Sequence, residues 1–199
     1  METTRKIAVI GGGSWATALV KILVTNLPQV GWWMRNENAV EHIKKYKKNP
    51  RYLQSVEFDT DKIDVTTDIV RIIKEAEILI IATPSAFLND LFEPIDKSIF
   101  KGKYVFSAVK GIVPEYNAIP ARFIHKTFDI PYDDIGIICG PCHAEEVALE
   151  RLSYLTLACS NEDLAEEMAD IMASRFIKTT VSDDLFGTEL SAVLKNVYA

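Results

Sequence analysis

A glycine-rich turn near the start of the chain is the feature that most constrains its fold. A short apolar run at residues 7–10 is typical of a buried β-strand, and the sequence Gly-Gly-Gly-Ser-Trp-Ala follows at residues 11–16. We expect Gly11 to permit a tight turn, Gly13 to let a ligand approach the backbone, and Ala16 to let the next helix pack closely. The free N–H groups of that helix would attract phosphate groups. This pattern predicts a dinucleotide site, although a glycine turn without a ligand remains the alternative.

Strand and helix patterns alternate along the rest of the chain. Strands are predicted at residues 7–10, 30–34, 78–82, 104–107, 135–139, 153–159 and 176–180, and helices at 14–25, 38–48, 162–174 and 186–199. Residues 49–61 show no clear period and are predicted to form a loop. The alternation predicts an α/β, Rossmann-like doubly wound fold with a mostly parallel sheet and helices on both faces.

Composition narrows the classes of partner. The chain of 199 residues has a net charge of −6 and 48% hydrophobic residues, so neither nucleic acid nor an anionic membrane is an expected partner. The N-terminus is too polar for a signal peptide, and no apolar stretch is long enough to span a bilayer, so we expect a cytoplasmic chain. Cys139 and Cys142 have C-x-x-C spacing, which leaves a redox pair or half a zinc site conceivable. Because no second pair follows, we expect no metal site.

Three residues outside the glycine turn are candidates for binding the cofactor. Arg35 follows the second predicted strand, where it could pair with the 2′-phosphate of NADP, so NADP is favoured or at least tolerated; a solvated surface charge is the alternative. Pro84 and Phe87 follow the predicted strand at residues 78–82 and could form an apolar wall for the cofactor. Simple packing explains these two residues equally well. The sequence alone therefore leaves both NAD and NADP open.

Two lysines and a Gly-Pro turn are candidates for chemistry. Lys110 follows the strand at residues 104–107, and the glycine after it would allow close approach to a phosphate or a carbonyl. Gly140 and Pro141 begin a turn whose amides could contact an anion. Lys195 lies within an apolar stripe of the last helix, where burial would lower its pKa and make it a usable proton donor. A lysine that reaches past an apolar interface to solvent is an equally good interpretation of that spacing.

These residues together resemble the NAD(P)-dependent glycerol-3-phosphate dehydrogenase family. The resemblance runs through the whole chain and has five landmarks, at residues 11–18, 82–85, 110–111, 140–146 and 194–196. It implies reversible hydride transfer between NAD(P)H and dihydroxyacetone phosphate. The product, sn-glycerol 3-phosphate, would feed glycerophospholipid synthesis.

The resemblance also implies roles for individual residues. Cofactor contacts are expected from Gly11, Gly13, Ser14, Trp15, Ala16, Arg35, Pro84, Phe87, Lys110 and Ala144. Substrate contacts are expected from Lys110, Gly140, Cys142 and Lys195. Lys195 would be the catalytic lysine that donates a proton to the developing alkoxide and accepts it in the reverse direction. Lys110, between cofactor and substrate, would depress the pKa of Lys195.

The resemblance further implies two parts of the molecule. Residues 1–185 would form the NAD(P)-binding domain, and residues 186–199 the first helix of a C-terminal substrate domain that is otherwise absent. That domain would complete the phosphate site and a possible homodimer, so we expect this chain to bind cofactor but turn over poorly or not at all. Two alternatives stay open: a related hydroxyacid or ketopantoate-type reductase, and a non-catalytic module that senses the cofactor.

Overall fold

The structure is a computed structural model that describes the backbone of residues 5–198 and the side chains of residues 5–194. Its strands are β1 (Ile7–Ile10), β2 (Val30–Trp33), β3 (Ile63–Thr66), β4 (Ile78–Ile81), β5 (Tyr104–Ser107), β6 (Ile135–Cys139), β7 (Ser153–Cys159) and β8 (Ile177–Ser182). Its α-helices are α1 (Ser14–Asn26), α2 (Glu37–Tyr46), α3 (Ile69–Glu75), α4 (Leu88–Phe92), α5 (Pro120–Phe128), α6 (Ala144–Ala148), α7 (Glu162–Met172) and α8 (Leu185–Tyr198).

The eight described strands form one sheet in the order β3-β2-β1-β4-β5-β6-β7-β8. All neighbouring pairs are parallel except β6 and β7, which are antiparallel. The chain order reverses between β1 and β4, and ligands of open α/β sheets bind at the carboxyl edge of such a reversal. The predicted Rossmann-like, mostly parallel fold is thereby confirmed.

The sheet is buried on both faces, as the continuous apolar runs predict. In β4, Ile78 and Ile80 belong to one hydrophobic cluster, which includes the buried face of α1. Leu79 and Ile81 belong to a second cluster on the other face. Because side chains alternate along a strand, a four-residue apolar run serves both cores.

The edge of the sheet contains two elements that the periodicity did not predict. β3 is four residues long and alternates buried with half-buried positions, and α3 has only seven residues after its cap at Asp68. Both are too short to give a strong period. The predicted second helix also has different limits, since Asn36 caps its start and Lys47 takes a left-handed conformation at its end.

The connection at residues 49–61 is a loop until a 3₁₀ turn begins at Thr60. No helix between residues 5 and 198 combines the length and the apolar character that a bilayer span requires.

Candidate active site

The turn after β1 is fixed by contacts that require glycine at its first position. The amide of Gly11 donates to the Trp33 carbonyl at 3.1 Å, and Trp32 Nε1 donates to the Gly11 carbonyl at 2.7 Å. Gly11 has φ +150°, and a Cβ there would lie 2.8 Å from the Ala82 carbonyl oxygen. A side chain at this position would therefore meet both backbone strain and a clash.

The start of α1 is open toward solvent. Gly13 is the N-cap, no side chain caps the helix, and its first turn holds no acidic residue. A Cβ at Gly13 would find nothing within 4 Å, whereas the buried Ala16 lies close under Gly11. The N–H groups of the first turn are thus uncompensated by any described side chain and face space that a ligand can enter.

A buried asparagine that sequence reasoning missed ties the following loop to this turn. Asn49 is 1% exposed, and its Nδ2 donates to Thr17 Oγ1 at 2.9 Å and to the Gly12 carbonyl at 3.4 Å. Its Oδ1 accepts from the amides of Arg51 at 3.0 Å and Tyr52 at 3.2 Å. These bonds hold residues 49–52 against the glycine turn. An Asn-Pro pair in sequence indicates a turn and gives no sign of these distant partners.

Two adjoining clefts lie near the glycine turn. The first, named the glycine-turn cleft, lies at the carboxyl edge of the sheet and has a volume of about 280 Å³. It is lined by Ser14, Trp15, Ala82, Thr83, Pro84, Ala108, Lys110, Cys142, His143, Ala144 and Glu145. Five residues predicted for the cofactor therefore share one cleft: Ser14, Trp15, Pro84, Lys110 and Ala144. Trp15 Nε1 is shielded from solvent and has no hydrogen-bond partner among the described residues.

The second cleft, named the α8 cleft, lies between the end of β6 and the first turns of α8 and has a volume of about 540 Å³. It is lined by Lys110, Cys139, Gly140, Pro141, Thr156, Asp184, Gly187, Thr188, Ser191 and Ala192. Gly140 has φ +138°, and a Cβ there would lie 2.5 Å from the Tyr154 carbonyl oxygen, so this turn also requires glycine.

Lys110 is the residue that connects the two clefts. It lines both of them, and its Nζ lies 5.8 Å from the centre of the Trp15 ring. The side chain is exposed, and the following Gly111 has φ +123°. A cation at this junction can attract an anion or a polarised oxygen from either side.

Four other predicted site residues do not lie where they were expected or cannot be placed. Arg35 is exposed and lies two residues after the end of β2, and Phe87 ends a 3₁₀ turn with 51% of its surface exposed. Neither residue lines either of the two clefts. Cys142 was expected at the substrate but lines the glycine-turn cleft. The backbone of Lys195 belongs to α8, but its side chain lies outside the described residues.

The cysteines do not behave as activated thiols. Burial raises the pKa of the Cys139 thiol and of the Cys142 thiol, so neither is a ready thiolate at neutral pH. Both are free cysteines. Among the described residues no group of three or more His, Cys, Asp or Glu side chains could hold a metal ion.

A buried carboxylate on α8 is a second residue that sequence reasoning missed. Glu189 is 1% exposed, and its Oε1 and Oε2 accept from the Ala121 amide at 3.2 and 3.1 Å. Burial raises the pKa of Glu189 to about 7, and the hydrogen bond from Ala121 opposes this shift in part.

Comparisons with known proteins point to one family. Two curated relatives are each named glycerol-3-phosphate dehydrogenase [NAD(P)+]: one from Pseudomonas syringae pv. tomato is 32% identical, and one from Azotobacter vinelandii is 33% identical, both over all 199 residues. The chain spans 57% of the length of each.

A solved structure of glycerol-3-phosphate dehydrogenase from Plasmodium falciparum superposes with a TM-score of 0.87 at 24% identity, covering 97% of this chain and 56% of that one. This likeness supports the fold. The sequence model described as "NAD-dependent glycerol-3-phosphate dehydrogenase N-terminus" matches residues 6–165. Because the match takes in most of the chain, the chain belongs to the family of N-terminal domains of NAD-dependent glycerol-3-phosphate dehydrogenases.

Proposed function

We propose that this chain binds NAD(P)(H) in the glycine-turn cleft and takes part in the interconversion of dihydroxyacetone phosphate and sn-glycerol 3-phosphate. The observation that carries the proposal is the position of Lys110, which lines both clefts in a chain of this family. The relatives' names supply the cofactor and the substrate class.

The residues of the glycine-turn cleft fit a dinucleotide. The open space over Gly13 and the uncapped amides of α1 suit a pyrophosphate, and Trp15 Nε1 is a shielded donor without a partner among the described residues. When bound, NAD(P)H would supply the hydride. Ser14, Trp15, Pro84 and Ala144 would hold it against the sheet edge.

The α8 cleft offers groups for a small phosphorylated substrate. Hydroxyls of Thr156, Thr188 and Ser191 can donate hydrogen bonds, and the ammonium of Lys110 can stabilise negative charge on a phosphate or a ketone oxygen. Lys195 follows Ser191 by one helical turn, and we assign to it the transfer of a proton to and from the substrate oxygen. Lys110 would lower the pKa of that lysine by charge repulsion.

The finer assignments belong to the same proposal. Arg35 would tolerate the 2′-phosphate of NADP, so that both cofactors bind. The product would enter glycerophospholipid synthesis in the cytoplasm. The protein would act on a small molecule and would form a homodimer.

The substitution Lys110→Met tests the proposal. We expect the variant to bind NADPH about two- to fivefold more weakly, since Lys110 is an exposed cation that lines the glycine-turn cleft. It should lose far more, at least about 100-fold, in kcat/KM for dihydroxyacetone phosphate, since it removes a cation at the reacting centre. NADPH binding is measured first, by calorimetry. NADPH oxidation is measured second, by absorbance with the protein in excess over NADPH, so that the slow turnover expected of this chain is still measured. Lys101→Met is the matched control, because Lys101 is exposed at the opposite end of β5. Equal kcat/KM for Lys110→Met and Lys101→Met would refute the role of Lys110.

A further inference from the structure

Glu189 is a buried carboxylate that the proposed chemistry does not use. It lies in the second turn of α8, is 1% exposed, and lines neither cleft. A carboxylate is costly to bury unless hydrogen bonds compensate it, so its presence inside the fold calls for a structural reason.

That reason is found at the start of α5. Pro120 is the first residue of this helix, no side chain of its own segment caps it, and its first turn has no acidic residue. The amide of Ala121 is therefore an orphan donor, and because Ala121 is fully buried, water cannot satisfy it. Both carboxylate oxygens of Glu189, 68 positions away in sequence, accept from this amide. Glu189 thus caps α5 from another helix, where the helix dipole favours negative charge.

The same contact lies on the buried face of α8. Leu185 and Glu189 are four residues apart and both buried, so they form one face of α8. Leu185 packs in the hydrophobic cluster that contains Ala121. The residues of α8 that line the α8 cleft are Gly187, Thr188, Ser191 and Ala192. Ser191 follows Glu189 by two residues, which places it on nearly the opposite side of the helix. A rotation of α8 that broke the Glu189 contact would move the cleft-lining residues as well.

We propose that Glu189 is a positioning residue that locks α8 to the start of α5, so that the cleft-lining residues of α8 stay in place across from Lys110. This inference rests on the proposed function for its effect on catalysis. The lock itself stands on the hydrogen bonds to Ala121 and on the burial of both groups.

Three variants test the lock. Glu189→Leu removes both acceptors, Glu189→Asp withdraws the carboxylate by one methylene, and Glu189→Gln keeps an acceptor oxygen at nearly the same place. We expect the Leu and Asp variants to lose at least about tenfold in kcat/KM for dihydroxyacetone phosphate, and Gln to restore most of it. NADPH affinity should stay within about threefold in all three variants, because neither Glu189 nor Ala121 lines the glycine-turn cleft. Glu166→Leu, at an exposed position of α7, is the matched control.

Amide hydrogen exchange gives a readout that does not depend on turnover. Glu189→Asp keeps a carboxylate and therefore serves as the test if Glu189→Leu does not fold. In Glu189→Asp, the amides of Ala121 and Ser191 should exchange at least about tenfold faster than in the parent, while β1 amides keep their protection. Unchanged exchange at both amides in the Asp and Leu variants would overturn the lock whatever the activity. If the unsubstituted protein binds no NADPH, the proposed function is wrong. The hydrogen-exchange result then still tests whether Glu189 holds α8 against α5. Faster exchange with unchanged kcat/KM in an active protein would overturn the positioning role.

Discussion

Substitution of Gly13 by alanine separates the ligand-binding role of the glycine turn from its structural role. Gly13 has φ −79° and ψ −178°, which alanine adopts without strain, and a Cβ there meets nothing within 4 Å. The free energy of unfolding should therefore stay within about 1 kcal/mol of the parent. The added methyl occupies the space beside the free amides of α1, where a pyrophosphate would lie. Loss of one hydrogen bond to a charged group costs about 1.5–3 kcal/mol, so the Kd for NADPH should rise about 10- to 150-fold.

Gly11→Ala is the contrasting substitution within the same turn. Its φ of +150° and the Ala82 carbonyl oxygen 2.8 Å from the new Cβ predict a loss of about 2–4 kcal/mol in the free energy of unfolding. Urea denaturation and calorimetric titration of both variants give the two quantities needed. If Gly13→Ala binds NADPH as tightly as the parent, or unfolds as readily as Gly11→Ala, the ligand-binding interpretation of the open space at Gly13 is wrong.

Three further predictions concern residues around the clefts. Asn49→Leu should lower the free energy of unfolding by about 2–4 kcal/mol in urea denaturation, because it removes the donor to Thr17 Oγ1 and the acceptor of the Arg51 and Tyr52 amides. The exposed Asn38→Ala should change it by less than about 0.5 kcal/mol. Equal effects of the two substitutions would contradict this account. The pKa of Glu189 is raised by burial from 4.5 to about 7, so the folded state binds its proton more tightly than the unfolded state. The parent should therefore gain up to about 3 kcal/mol of stability relative to Glu189→Gln as the pH falls from about 7 to 4.5, and lose it again as the pH rises; a flat difference across this range would refute the raised pKa. Cys139 and Cys142 should react with iodoacetamide at neutral pH more slowly than a free cysteine peptide, because burial raises the pKa of both thiols; fast labelling followed by mass spectrometry would show that the thiols are accessible and ionised.

The sequence predicted the parts of the fold whose signal is local. β1 and β4 are continuous apolar runs covered on both faces, and the glycine turn between β1 and α1 requires small residues within six positions. β3 and α3 escaped prediction because they are short and only partly buried: two of the four residues of β3 and two of the seven residues of α3 are buried.

The part of the candidate site that follows the ends of strands could also be predicted from the sequence. Ser14, Trp15, Pro84, Lys110 and Ala144 follow the carboxyl ends of strands, so parallel topology brings them together. Asn49 and Glu189 could not be found in this way. Their partners, Thr17 and Ala121, are 32 and 68 positions away, and neither residue belongs to a spacing that indicates a site. Glu189 satisfies the otherwise unpaired Ala121 amide, and Asn49 donates to a Thr17 hydroxyl that itself donates to the Gly13 carbonyl at 2.8 Å. Only the tertiary structure reveals these contacts.

The central claim, that the glycine-turn cleft holds a dinucleotide, is tested most directly by titrating the protein with NADPH and with NADH. Tryptophan fluorescence reports binding, since Trp15 lines the cleft, and calorimetry gives the stoichiometry. The account predicts saturable binding of one cofactor per chain, tighter for NADPH if Arg35 contacts the 2′-phosphate, together with weaker binding by Gly13→Ala. No quenching and no heat of binding with either cofactor at millimolar concentration would contradict it.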